Sequence, residues 1–125
     1  MKRVLIVEDE PAISSVCQRI LNKEGFITDI VDNGEAAEKA VIERQYDLLL
    51  LDIRLPIESG AEFYVWLLQE YPQLSRRVIF MTGSVMGGDT INLLKRSGQP
   101  YLLKPFRPEE LIEIVMKTLE EVKND

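Results

Sequence analysis

Val4-Leu5-Ile6-Val7-Glu8-Asp9-Glu10-Pro11, near the start of the chain, determines which fold class the sequence can adopt. Four consecutive apolar residues, three of them β-branched, are typical of a strand that is buried on both faces of a parallel sheet. An acidic pair ends this run. Pro11 then suits the first position of a helix, where its missing amide proton leaves no hydrogen bond unmade. The stretch therefore predicts a buried strand followed directly by a helix.

The same alternation of a short apolar run and a helical pattern occurs five times. Strands are predicted at 4–7, 26–31, 48–51, 78–81 and 101–103. Helices are predicted from Pro11 to a cap at Gly25, at 35–44, from Ser59 to Pro72, at 90–97 and from Pro108 onward. Because parallel strands need crossovers, the alternation predicts an α/β three-layer sandwich of one five-stranded parallel sheet and five helices. Right-handed crossovers favour the flavodoxin-like strand order 2-1-3-4-5.

Composition narrows the possible classes further. The 125 residues include 15 basic and 21 acidic side chains, and this net charge of −6 argues against binding a nucleic-acid backbone. No apolar run approaches the roughly 20 residues that a membrane-spanning helix needs. The single cysteine, Cys17, falls on the apolar face of the first helix and is expected to be a core residue. We therefore expect one cytoplasmic domain over residues 1–125, without direct contact to nucleic acid or membrane.

Polar side chains interrupt the chain where the predicted strands end. Glu8 and Asp9 follow the first strand, Asp52 the third, Thr82 the fourth and Lys104 the fifth. The carboxyl ends of parallel strands meet at one edge of the sheet, where open α/β sheets bind their ligands. The sequence therefore predicts that three carboxylates, a hydroxyl and an ammonium group converge there.

Such a cluster needs a cation. Two unit charges about 4 Å apart repel by roughly 4 kcal/mol at an effective dielectric near 20, and one lysine does not balance three carboxylates. Oxygen ligands without cysteine or histidine suit Mg²⁺, or Mn²⁺ in its place. The sequence contains no histidine, which excludes imidazole catalysis and imidazole-bound zinc.

A carboxylate, a cation, a hydroxyl and an ammonium group together suit phosphoryl transfer, which depends mainly on positioning and on charge neutralisation. Asp52 ends a central strand and is the best candidate for the attacking carboxylate. Glu8 and Asp9 would hold the metal beside it. Thr82 and Lys104 would then bind phosphoryl oxygens.

Four pieces of this sequence, in order, resemble the response-regulator receiver family, which includes the chemotaxis response regulator. They are Val7-Glu8-Asp9-Glu10-Pro11, Asp52-Ile53-Arg54-Leu55-Pro56 with Gly60, Met81-Thr82-Gly83, and Lys104-Pro105-Phe106. The resemblance covers essentially the whole chain and implies the flavodoxin-like receiver fold. It also implies that Glu8 and Asp9 bind the metal, that Asp52 is the phosphoacceptor, and that the backbone carbonyl of Arg54 completes the metal ligands.

The resemblance further implies how the domain switches. Thr82 is similar to the switch hydroxyl of the family and Lys104 to its phosphate-binding lysine, whose bond to Pro105 is often cis. Tyr101 is similar to the aromatic rotamer switch, although an ordinary strand tyrosine is the competing interpretation. Gly83 stands where small residues leave the phosphoryl group room.

The expected partners also come from the resemblance. A sensor histidine kinase or a phosphotransfer protein would donate the phosphoryl group, and a downstream output protein would bind the face of the fourth helix, fifth strand and fifth helix. Phosphorylation-dependent homodimerisation is a further possibility. The apolar set Val85, Met86, Ile91 and Leu94 belongs either to the helix core or to a partner surface. No output domain is expected within this chain, and the domain is expected to act as a switch that catalyses only its own phosphorylation and slow dephosphorylation.

Three other functions remain open at the level of sequence. A Mg²⁺-dependent phosphatase of the haloacid-dehalogenase type also uses an aspartyl phosphate, but it carries Asp-x-Asp where this chain has Asp52-Ile53-Arg54. A docking module that does not depend on phosphorylation would be expected to lack the acceptor, the acidic pair or the lysine. A flavodoxin-like cofactor carrier shares the fold, but no glycine-rich phosphate loop follows the first strand.

Overall fold

A computed structural model describes residues 2–84 and 87–123. Its elements are β1 (Arg3–Val7), α1 (Pro11–Lys23), β2 (Ile27–Val31), α2 (Gly34–Glu43), β3 (Leu48–Asp52), α3 (Gly60–Glu70), β4 (Val78–Thr82), α4 (Gly88–Ser97), β5 (Tyr101–Leu103) and α5 (Pro108–Lys123). A short 3₁₀ turn, Leu74–Arg76, precedes β4. The predicted alternation of strands and helices is confirmed, with β3 and β4 each including the polar residue that was expected to follow it.

The five strands form one parallel sheet in the order β2-β1-β3-β4-β5, as predicted. β3 and β4 are buried along their whole length. β2 lies at one edge of the sheet, and each of its residues is only partly buried. In the pairing of β1 with β3, Val7 lies opposite Leu51, and in the pairing of β3 with β4, Asp52 lies opposite Met81. The carboxyl ends of β1, β3 and β4 therefore reach the same edge of the sheet.

Alternate side chains of the strands enter two apolar cores, one on each face of the sheet. Leu49 and Leu51 pack on one face with residues of α2 and α3, including Phe63. Leu48 and Leu50 pack on the other face with residues of α1 and α5, including the buried Cys17. The three-layer sandwich holds the strands, and with them their polar ends, between two packed layers of helices.

Local sequence signals account for the helix ends. Ser59 and Glu62 form a capping box at the start of α3, with each side chain bonded to the other residue's backbone amide. Gly25 adopts the left-handed conformation expected after α1, with φ of 94°. Helix α4 begins at Gly88, two residues before its predicted start.

Two apolar side chains that follow the helical spacing of the core residues are nevertheless exposed. Val16 of α1 and Met116 of α5 lie next in sequence to the core residues Cys17 and Val115. Because neighbouring residues are about 100° apart around a helix, they point away from the core at the edge of the apolar stripe.

The apolar set predicted near α4 is only partly described. Leu94 packs against the core and Ile91 is partly buried, whereas Val85 and Met86 lie outside the described residues. None of the helices in the described ranges has the length and apolar character needed to cross a bilayer.

Candidate functional site

Three carboxylates meet at the carboxyl edge of the sheet. Glu8 and Asp9 follow β1, Asp52 ends β3, and these two strands are direct neighbours. One oxygen of each carboxylate lies within 4.8 Å of an oxygen of the other two. Glu8 and Asp52 are 1% and 5% exposed, whereas Asp9 is exposed. The cluster is thus closed on the side of the core and open to solvent at Asp9, and it could hold a metal ion.

Lys104 reaches into this cluster from β5. Its ammonium Nζ lies 2.6 Å from Glu8 Oε2 and 3.3 Å from Asp52 Oδ2. Neighbouring strands are about 4.8 Å apart, so the four-carbon stem has to pass over β4 to join β5 to β3. Glu10 approaches the same ammonium at 4.0 Å, a contact that the sequence did not indicate.

Burial and charge determine the protonation of these groups. Burial raises the pKa of Glu8 to about 7, the hydrogen bond from Lys104 counteracts part of that rise, and the charge of Asp52 adds to it. Burial alone would lower the pKa of Lys104, but its contacts with Glu8 and Asp52 raise it above the ordinary value. Lys104 is therefore charged at neutral pH.

The donor set of this cluster suits a hard divalent cation. Its three members offer only carboxylate oxygens, which Mg²⁺ prefers over nitrogen or sulfur. Glu8 Oε2 is buried and has the Lys104 ammonium 2.6 Å away. One ammonium does not balance three carboxylates whose oxygens lie within 4.8 Å of one another, so the residues present fit a divalent cation.

The loop after β3 positions Asp52 by contacts at both of its ends. The Arg54 amide donates to Asp52 Oδ1 at 3.2 Å, and the Gly60 amide donates to the Ile53 carbonyl at 3.0 Å. A Cβ on Gly60 would lie 2.1 Å from the Asp52 carbonyl oxygen, so this position has no room for a side chain. The ligand role of the Arg54 carbonyl stays a prediction.

Thr82 ends β4 with its hydroxyl bonded to the loop that follows. The hydroxyl donates to the Ser84 carbonyl at 2.8 Å and accepts from the Ser84 amide at 3.2 Å. The Thr82 carbonyl accepts from the Lys104 amide at 2.8 Å, which ties the ends of β4 and β5 together. A Cβ on Gly83 would meet nothing within 4 Å, so the position beside Thr82 is open.

Tyr101 is the first residue of β5, and Pro105 lies in the turn that follows this strand. Tyr101 is 45% exposed at the start of the strand, so its ring lies at the surface. The bond between Lys104 and Pro105 is cis, as the family resemblance implied. The roles of both residues in switching stay predictions.

Two features of the β3–α3 loop were not predicted from the sequence. Ile57 has a φ of +67°, which a β-branched residue rarely adopts. Glu58 lies beside Glu38 of α2, and burial together with that carboxyl group raises its pKa to about 7. Neither feature carries a local sequence signal, and Glu58 is placed by a contact with α2, whose Gly34 amide donates to the Glu58 carbonyl at 3.0 Å.

Comparison with known proteins agrees with this geometry. The family model described as response regulator receiver domain matches residues 4–116. A CheY-like receiver domain protein from Methanospirillum hungatei superposes with a TM-score of 0.90 at 27% identity, covering 99% of this chain and 98% of the other. The receiver domain of the sensor histidine kinase PA1611 from Pseudomonas aeruginosa, solved with magnesium in its active-site cleft, has a TM-score of 0.85 at 28% identity, with coverage of 95% and 98%.

Similar sequences include longer regulators. The transcriptional regulatory protein DltR of Streptococcus agalactiae is 33% identical over 110 residues, covering 88% of this chain and 48% of DltR. The DNA-binding response regulator MtrA of Mycolicibacterium smegmatis is 30% identical over 118 residues, covering 94% of this chain and 50% of MtrA. The chain thus spans about half the length of the curated relatives it matches. The names of these relatives, a transcriptional regulatory protein and a DNA-binding response regulator, do not support our expectation that this chain works without direct contact to nucleic acid.

Proposed function

Because this chain belongs to the response regulator receiver domain family, we propose that Asp52 accepts a phosphoryl group from a phosphohistidine on a partner protein, with Mg²⁺ bound beside it. The observation that carries this proposal is the contact of one ammonium, Lys104, with two buried carboxylates at the edge of the sheet. That arrangement supplies an acceptor oxygen, a metal site and a cation for the phosphoryl group within one crevice.

The cation would be held by Glu8, Asp9, Asp52 and the Arg54 carbonyl, and when bound it would neutralise charge on the phosphoryl oxygens. One oxygen of Asp52 attacks phosphorus, the bond between phosphorus and the histidine nitrogen breaks, and the imidazole leaves with the electron pair. The buried position of Asp52 limits the approach of water, and its hydrogen bond from the Arg54 amide fixes the carboxylate plane.

Lys104 would change partners during the reaction. Its ammonium lies 2.6 Å from Glu8, and a divalent cation held by Glu8, Asp9 and Asp52 would neutralise the Glu8 carboxylate in its place. The ammonium would then be free to contact a phosphoryl oxygen on Asp52. Its Nζ already lies 3.3 Å from Asp52 Oδ2. This exchange makes phosphoryl binding and metal binding support each other.

Switching would start from the contact between Thr82 and Ser84. A phosphoryl oxygen on Asp52 offers the Thr82 hydroxyl a charged acceptor, which is a stronger partner than the neutral Ser84 carbonyl. Moving the hydroxyl inward would open space toward Tyr101 and change the face of α4, β5 and α5. An output protein or a second copy of the chain would recognise that face, so the domain acts as a switch and not as an enzyme on other substrates.

Mass spectrometry after incubation with acetyl phosphate and Mg²⁺ tests this function. We expect one added phosphoryl group on the wild-type chain, none on Asp52→Asn, and none when the metal is removed with EDTA. A phosphoryl group that is added equally to Asp52→Asn would contradict the proposed acceptor. Turnover of a generic phosphoester would instead favour the phosphatase alternative.

A further inference from the structure

Ile57 combines two unfavourable features within the β3–α3 loop. It is 78% exposed, and its φ of +67° lies in the left-handed region. Isolated apolar residues on a surface are ordinary, but a β-branched residue in this conformation is an outlier. Glycine and asparagine adopt the left-handed region more readily and would leave no apolar group in water. The fold therefore gains nothing from isoleucine at this position.

The loop keeps Ile57 close to Asp52. It begins directly after Asp52 and returns to it at Gly60, whose Cα packs against the Asp52 carbonyl. Ile57 is three residues before Gly60, so their Cα atoms are at most about 11 Å apart. The exposed side chain thus lies at the same edge of the sheet as the acceptor.

A protein that delivers a phosphoryl group to Asp52 has to cover this edge. Asp52 is only 5% exposed, so a histidine side chain can reach it only if the protein that carries it rests on the surrounding loops. A standard interface covers about 800 Å² on each partner, which is a disc with a radius of about 16 Å. Ile57 falls inside such a disc centred on the acceptor.

We propose that Ile57 is a specificity-determining contact for the phosphohistidine-bearing donor protein, buried only in the complex with it. This inference rests on the proposed function, because it assumes that Asp52 receives the phosphoryl group. Small phosphodonors need no docking surface and should be indifferent to the side chain at this position. A protein donor should depend on its apolar character.

Three variants separate the possible roles of the side chain. Ile57→Asn removes the apolar group and tolerates the left-handed backbone, whereas Ile57→Leu keeps an apolar side chain of the same volume. Ile42→Ala serves as the control, because Ile42 is 63% exposed near the C-terminal end of α2, at the opposite edge of the sheet. The rate of transfer is measured from a panel of purified histidine-kinase cores carrying ³²P on histidine, using the core that labels the wild-type chain fastest.

We expect Ile57→Asn to lower kcat/KM for transfer from the kinase core about tenfold, the effect of losing partial burial of one isoleucine. Ile57→Leu and Ile42→Ala should transfer at close to the wild-type rate. All three should react normally with acetyl phosphate, and the urea midpoint of Ile57→Asn should be equal to or higher than that of the wild type.

Equal transfer to Ile57→Asn and wild type would overturn the inference, as would a change in oligomeric state without a change in transfer. A panel in which no kinase core labels the wild-type chain faster than acetyl phosphate does would also overturn it, because no donor would then use a docking surface. Failure of the proposed function is distinguishable, since it would appear as absence of labelling by acetyl phosphate.

Discussion

Replacing Gly60 with alanine should disturb the acceptor aspartate directly through the backbone. The new Cβ would lie 2.1 Å from the Asp52 carbonyl oxygen and 2.8 Å from the Ile53 Cα. Both are backbone atoms, so no side chain can rotate away, and the strand end has to move by roughly 1 Å. Overpacking of this kind costs about 1–3 kcal/mol, whereas alanine otherwise favours a helix by about 0.5–1 kcal/mol over glycine. The net expectation is a loss of about 1–2 kcal/mol in the free energy of unfolding.

The matched control is Gly88→Ala. Gly88 is the first residue of α4, as Gly60 is the first of α3, but a Cβ there would meet nothing within 4 Å. Urea unfolding can be followed by the fluorescence of Trp66, the single tryptophan, which stacks on Phe63 within α3. Gly88→Ala should match or exceed the wild type in stability, whereas Gly60→Ala should unfold at lower urea concentration.

A second measurement asks whether Asp52 has moved. A displacement of about 1 Å at a reacting group can slow a reaction about 100-fold, so acetyl phosphate should label Gly60→Ala far more slowly than Gly88→Ala. If Gly60→Ala is as stable as the wild type and is labelled at the same rate, then the close approach of α3 to the Asp52 carbonyl does not position the acceptor.

Two further predictions concern the charged groups. Lys104→Met leaves the buried carboxylates of Glu8 and Asp52 without their ammonium, so urea unfolding in EDTA should show a loss of about 3 kcal/mol. Saturating Mg²⁺ should restore more stability to this variant than to the wild type, and an unchanged unfolding free energy would contradict the ion pairing. The raised pKa of Glu58 means that the native state binds more protons than the unfolded state between the ordinary value of 4.5 and about 7. The stability contributed by protonated Glu58 should therefore fall as pH rises through about 7, and Glu58→Gln should flatten this dependence; equal slopes in the two proteins would refute it.

The strands and most of the site follow from the sequence because two simple signals coincide. Apolar runs that are buried on both faces mark parallel strands, and the first polar residue after each run marks the shared edge. This accounts for the meeting of Glu8, Asp52 and Lys104 across strands β1, β3 and β5.

Other features depend on packing that no local pattern encodes. The left-handed backbone of Ile57 contradicts the preference of a β-branched residue, and it arises because the loop has to return to Gly60 beside Asp52. The direction of the Thr82 hydroxyl depends on the Ser84 backbone, which offers both a donor and an acceptor. The exposure of Met116 depends on which side of α5 faces the sheet, because the preceding residue, Val115, is buried there and Met116 points about 100° away from it.

The balance of charge in the crevice depends on the position of one lysine, Lys104. Three carboxylates and one ammonium leave an excess of negative charge. Burial, with the charge of Asp52 adding to it, raises the pKa of Glu8 to about 7 even with Lys104 at 2.6 Å. A divalent cation would remove this excess, and a phosphoryl group, which carries about two negative charges near neutral pH but replaces the single charge of Asp52, would then restore about half of it. On the proposed function, the site alternates between states in which Lys104 is held by Glu8 and states in which it is held by the phosphoryl group on Asp52. On that function, the position of one ammonium group would couple metal binding at β1 to phosphorylation at β3 and to the end of β5, where the Lys104 amide donates to the Thr82 carbonyl.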